Sequence, residues 1–148
     1  MSERVFRKLG LSDLQMLADT KKDAGALAIW PVDEEHARLF LSNPMNCFFA
    51  CIDDNKIIAY ACGYELDRLD NTGNMLYIHG VGVHADYRRQ GIGKQMLNEI
   101  KALCRLTGMC RFFLCTWKSN TAACALYDSV GGEIGHDDDV SYYFNKLD

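Results

Sequence analysis

Seven consecutive residues carry the densest chemistry in this chain: Arg88-Arg89-Gln90-Gly91-Ile92-Gly93-Lys94. Two guanidinium groups and an ammonium flank two glycines where a strand-like pattern gives way to a helical one. At a helix start, free main-chain N–H groups converge and the helix dipole adds partial positive charge. Glycine there lets the backbone come close to a phosphate. The dipole is worth only about 0.3–1 kcal/mol when exposed, so the N–H donors and the cations must supply most of the grip. The ligand expected is a small phosphorylated molecule. The common nucleotide fingerprints do not fit. A Walker loop needs GxxxxGK[ST], and Gly91-Ile92-Gly93-Lys94 lacks the first glycine and the hydroxyl. The dinucleotide pattern GxGxxG fails at Met96.

The elements that must hold this loop are legible on either side. Before it, Leu76-Tyr77-Ile78-His79-Gly80-Val81-Gly82-Val83 is a β-type run. After it, Ile92, Met96, Ile100 and Leu103 recur as one helix face, and Gly108 is a natural stop. Upstream, Val5–Lys8 is a short strand candidate. Leu11-Ser12-Asp13-Leu14-Gln15-Met16 reads as a helix start, with Ser12 as N-cap and Gln15 completing a capping box, running to about Lys22. A second helix opens at Asp33 and ends before Pro44. The segment between, with Leu27, Ile29 and Trp30, is apolar for a loop; it either packs over the core or lines a pocket.

Cys47–Ile52 and Lys56–Cys62 flank Asp53-Asp54-Asn55 as a β-hairpin. Downstream, Arg111–Cys115 is a buried-strand candidate. Asn120 caps a helix with Ala123, Leu126, Tyr127 and Val130 on one face, ended by Gly131-Gly132. Short strands near Glu133-Ile134 and at Ser141–Phe144 finish the chain. The reading is a mixed α/β fold with one central sheet.

At 148 residues the chain has the length of one domain, 1–148, with room for a real core. No apolar run approaches about 18 residues and no signal-peptide pattern is present, so a soluble cytoplasmic protein with no membrane partner is expected. Seven scattered cysteines without a CxxC pair or HxxxH spacing argue for reduced, buried thiols and no metal site. A net charge of −4 with no basic stripe gives no support to nucleic-acid binding, so no nucleic-acid partner is expected, and it suits a cationic substrate.

The R-x-x-G-x-G pattern from Arg88 through Gly91 to Gly93 resembles the acyl-CoA pyrophosphate loop, [QR]-x-x-G-x-[GA], of the GCN5-related N-acetyltransferase (GNAT) superfamily. A second stretch, Asn120-Thr121-Ala122-Ala123-Cys124-Ala125-Leu126-Tyr127-Asp128-Ser129-Val130-Gly131, is similar to the family's N-x-x-A-x-x-x-Y-x-x-x-G segment. The resemblance implies a single-domain β-α-α-β-β-β-α-β-α-β-β fold whose sheet splays around the central strand. It also implies acetyl-CoA as co-substrate. Arg88, Arg89, Gln90, Gly91, Ile92, Gly93 and Lys94 would hold the pyrophosphate, Val81 and Val83 the pantetheine arm through their backbones, and Asn120 would steady that arm. The hydroxyl of Tyr127 would lie near the thioester sulfur.

The chemistry asks for these groups. A thiol titrates near about 8.5 and a phenol near about 10, so a protonated Tyr127 could act as general acid to the departing sulfur. A backbone N–H around Val81 would stabilise the oxyanion, and Gly80 and Gly82 suit an opened strand. The amine must shed a proton, and His79 is the base candidate; arylalkylamine N-acetyltransferases have a histidine at the matching position. By period two His79 is expected to share a face with Tyr77, Val81 and Val83. The glutamate of related histone acetyltransferases falls at Tyr77 and the aspartate of aminoglycoside 3-N-acetyltransferases at Gly80, so both carboxylates are absent.

Trp30, Glu65, Tyr77 and Asp138 are the acceptor-side candidates, the last within Asp137-Asp138-Asp139. The expected reaction is acetyl transfer to a primary amine of a small molecule, such as an aminoglycoside or polyamine, by direct attack. Acetylation of a protein N-terminus or lysine, and a non-catalytic CoA-binding regulatory domain, are the alternatives. The oligomeric state is open, with a homodimer among the options.

Overall fold

The computed structural model describes residues 3–147, so Met1, Ser2 and Asp148 of the expected 1–148 domain lie outside the described residues. Five strands, β1 (Val5–Lys8), β2 (Asn46–Asp53), β3 (Lys56–Leu66), β4 (Met75–Val83) and β5 (Arg111–Leu114), form one sheet in that spatial order. Pairing is antiparallel throughout except for the parallel β4–β5 pair. The helices are α1 (Leu14–Ala18), α2 (Ala24–Leu27), α3 (Glu34–Ser42), α4 (Ile92–Thr107) and α5 (Thr121–Ser129).

Strand alternation sorts β2 between two cores. Cys47, Phe49 and Cys51 face Met96, Leu97 and Ile100 of α4, while Phe48, Ala50 and Ile52 pack with Leu17, Leu27 and Ala37 beneath α1 to α3. The hairpin turns at Asp54 and Asn55, both at positive φ (49° and 59°), as a tight two-residue turn requires. Gly108, at φ 75°, closes α4 with its N–H on Arg105 and Cys104 carbonyls.

Two expectations fail locally. The helix from Ser12 to about Lys22 is broken into a 3-10 turn (Leu11–Asp13), α1, and a second 3-10 turn (Asp19–Asp23). Ser12 does not cap it. The carboxylate of Asp13, 7% exposed, instead takes the Gly10 N–H at 2.8 Å and both Arg7 guanidinium donors at 2.8 and 2.7 Å. An ion pair to the neighbouring strand outcompetes the local cap.

The strands expected near Glu133-Ile134 and Ser141–Phe144 do not form either. Ile134, Tyr142, Tyr143 and Phe144 are each at least 72% exposed, and no ladder partner engages them among the described residues. High β-propensity yields no strand where no neighbouring edge accepts its hydrogen bonds. No helix among the described residues is long and apolar enough to cross a membrane.

Candidate functional site

Strand β4 changes character halfway along. Met75 to Ile78 pair with β3 on one side and with β5 on the other, and the β5 ladder ends at the Ile78–Leu114 pair. On the β3 side, Cys62 opposes Gly80 and Gly63 opposes Ile78, which leaves His79 as the extra residue of a β-bulge. Beyond it β4 keeps only β3. The His84 N–H donates to the Ile58 carbonyl at 2.8 Å, which makes Ala59–Val83 and Ala61–Val81 the non-hydrogen-bonded pairs of the ladder. The main-chain groups of Val81 and Val83 therefore point away from β3, into the gap that β5 has vacated. One is partly used: Arg88 Nε donates to the Val83 carbonyl at 3.2 Å.

The bulge also corrects the face assignment. Leu76 and Ile78 are buried against α4, and Val81 and Val83 pack against that same core. The phase shift at His79 thus puts Tyr77 on the opposite face from Val81 and Val83. Tyr77 stacks on Phe113 (centroids 5.2 Å apart), and its hydroxyl lies 3.3 Å from His79 Nδ1.

At the end of the open half the chain turns through a short 3-10 segment, Ala85–Tyr87, into the Arg88–Lys94 loop. His84 caps this turn through Nδ1, which accepts the Asp86 N–H at 3.1 Å, and so serves as a loop polar residue. Gly91 is the N-cap of α4 at φ 75°; no side chain caps the helix, and its first turn holds no acid. The first N–H groups of α4 consequently have no intrahelical acceptor. A Cβ on Gly91 would meet nothing within 4 Å, so the space above this turn is open. Arg88, Arg89 and Lys94 are exposed around it, and Gln90 is held by Arg4 across 2.6 Å. Donors, cations and open space suit a phosphate group. Ile92, by contrast, is buried in the core and contributes only its backbone. Gly93 has a packing role as well, because a Cβ there would sit 3.2 Å from Leu126 of α5.

The gap between β4 and β5 widens into a cleft of about 750 Å³. His79, Val81, Asn120, Tyr127 and Trp30 all line it. Asn120 caps α5, its Oδ1 accepting the Ala123 N–H at 3.1 Å, which leaves its amide NH2 for another partner. Tyr127 is half-buried, and that burial pushes its phenol above the ordinary value. Cys62 also lines the cleft, its thiol pushed up to about 11 by burial.

Three acceptor-side candidates lie elsewhere. Glu65 accepts from Asn74 at 3.0 Å and braces the β3–β4 connection. Tyr77 packs on Phe113. Asp138 sits in an exposed turn closed by the Asp139 carboxylate on the His136 N–H. The structure adds His36 and Trp117 to the cleft. His36 follows from the N-cap of α3, since Asp33 accepts both its N–H (3.0 Å) and its Nδ1 (2.7 Å). No sequence signal marked Trp117. No cluster of metal-binding side chains occurs among the described residues.

The fold is shared with proteins of known structure. A crystal structure of a soil-metagenome aminoglycoside acetyltransferase with sisomicin superposes with a TM-score of 0.80 at 21% identity, over 97% of both chains. An aminoglycoside N-acetyltransferase in complex with CoA gives 0.74 at 17% identity, over 97% of this chain and 95% of that one. A ribosomal-protein-alanine N-acetyltransferase from Brucella melitensis biovar Abortus gives 0.73 at 15%, over 95% and 99%. In sequence, N-alpha-acetyltransferase 50 of Danio rerio is 38% identical over 77 residues, covering 50% of this chain and 46% of that protein. The chain thus spans about half the length of that curated relative. The acetyltransferase (GNAT) family profile matches residues 13–131, most of the chain, and this protein belongs to that family.

Proposed function

We propose that this protein is an acetyl-CoA-dependent N-acetyltransferase acting on the primary amine of a small molecule by direct attack. One observation carries the reading: an uncapped, glycine-opened helix start ringed by Arg88, Arg89 and Lys94 lies at the end of a half-paired strand. The other end of that half-strand opens on a cleft lined by a protonated phenol. Acetyl-CoA supplies the acyl group, activated as a thioester. The α4 amides and the three cations hold its phosphates, and the outward main-chain groups of Val81 and Val83 hold the pantetheine arm, with the Asn120 amide beside it.

Tyr127 Oη keeps its proton at neutral pH and delivers it to the departing sulfur. His79, displaced into the cleft by the bulge, takes a proton from the acceptor ammonium, and the neutral amine so formed attacks the thioester carbonyl. Burial favours the neutral thiol of Cys62, which makes it a poor acyl acceptor.

Titration with acetyl-CoA, followed by thermal shift, tests cofactor binding, since a ligand of the native state must raise Tm. Tyr127→Phe should then lose about 10²–10⁴-fold in kcat while the acetyl-CoA shift persists. A shift without transfer in either form would mark a non-catalytic CoA-binding domain. The identity to N-alpha-acetyltransferase 50 favours a protein N-terminus as the second acceptor reading.

A further inference from the structure

The chain has two tryptophans, and both stand at the mouth of the same cleft with their side chains in solvent, Trp30 at 90% and Trp117 at 78% exposure. Their backbones are nonetheless held. Trp30 follows Ala28, a left-handed residue (φ 54°) whose carbonyl accepts the Tyr60 hydroxyl at 2.8 Å, and Pro31 stiffens its other side. The Trp117 carbonyl accepts the Asn120 N–H at 2.9 Å and the Cys124 thiol at 3.7 Å. Displaying an indole on a fixed backbone costs little further ordering when a ligand arrives, and it offers a large flat apolar surface.

The charge inside the cleft is sparse. Asp33 is the only carboxylate lining it among the described residues, and its Oδ2 is already taken by the His36 N–H and ring. A polycation would have to desolvate several ammonium groups against Phe40, Val32 and Leu114 with a single carboxylate to meet them.

We propose that Trp30 and Trp117 are the specificity determinants of the acceptor site, and that the acceptor is a singly charged primary amine carrying a flat aromatic body held between the two indoles. This rests on the acetyltransferase reading and narrows it. Apolar walls serve the chemistry too, since desolvation disfavours the ammonium and lowers the cost of the neutral, attacking amine.

Because both tryptophans belong to the site, intrinsic tryptophan emission reports acceptor binding independently of turnover. Phenethylamine should change that emission saturably, with or without acetyl-CoA, and spermidine and kanamycin should not. By mass detection of product, kcat/KM for phenethylamine should exceed that for spermidine or kanamycin at least about tenfold. Trp30→Ala and Trp117→Ala should each raise its KM about tenfold with kcat little changed, and Trp→Phe at either site should restore most of the loss. Both side chains are exposed, so Tm should not move. If spermidine, kanamycin or a peptide N-terminus outperforms phenethylamine, or if both alanine variants keep the wild-type KM, the proposal is overturned. A flat emission response overturns it as well. An acetyl-CoA thermal shift that persists in that case leaves the acetyltransferase reading standing, and the absence of any such shift is the failure of that reading instead.

Discussion

The two halves of β4 belong to one continuous strand and have opposite uses. Met75 to Ile78 is ladder on both edges, buried alternately, and serves the sheet. Gly80 to Val83 keeps one edge paired with β3, and His79, Gly80 and Val81 line the cleft. A single extra residue at His79 and a β5 only four residues long separate the two regimes. Exposed main-chain donors in a sheet are ordinarily an aggregation hazard. Here those of Val81 lie in the wall of the cleft.

The largest expected effect tests how tightly the open half is built. A Cβ on Gly82 would lie 2.2 Å from the Leu27 carbonyl and 2.5 Å from the Tyr60 ring, whereas one on Gly80 would meet nothing nearer than 3.7 Å. Gly82→Ala should therefore cost about 3 kcal/mol, and Gly80→Ala roughly 1 kcal/mol or less, read as urea midpoints. Equal effects would mean that the strand is not held closely at Gly82.

The bulged residue itself comes next. His79→Ala should lower kcat about 100-fold at pH 7 and recover as pH rises, because a free alkylammonium sheds its own proton near about 10. A pH profile parallel to the wild type would return His79 to the structural half of the comparison.

The smallest effect is a control far from the opening. Arg7 and the Gly10 N–H hold the Asp13 carboxyl below the usual carboxylate range against the opposing pull of burial. Its folded value is depressed, so its stabilisation is complete above about pH 4 and disappears as pH falls through that lowered value. Asp13→Asn should cost about 2 kcal/mol near neutrality and progressively less in acid, with the acetyl-CoA shift intact. Loss of that shift would show that the sheet's far edge controls the opening.

Where the deciding interaction is local, the residues announced it. Gly108 ends α4 because left-handed backbone favours glycine, Asn120 caps α5 because its side chain reaches the Ala123 N–H, and Asp33 does the same for α3. The Arg88–Lys94 loop could be read as an anion site because strand, glycine and helix start are contiguous in the chain.

Contacts between distant segments were not legible in this way. Asp13 leaves the expected helix start to meet Arg7, and the bulge that turns Tyr77 away from Val81 depends on pairing between β3 and β4. The exposed aromatics near the C-terminus find no edge to join, and Trp30 and Trp117 reach one cleft from loops 87 positions apart in number. Sequence alone determined which segments could become helix, hairpin and glycine-opened loop, since those follow from spacing and backbone freedom within a few residues. Tertiary structure decided which half of the central strand stays open and which side chains face it, because register and divergence are properties of strand pairs and no single strand carries them.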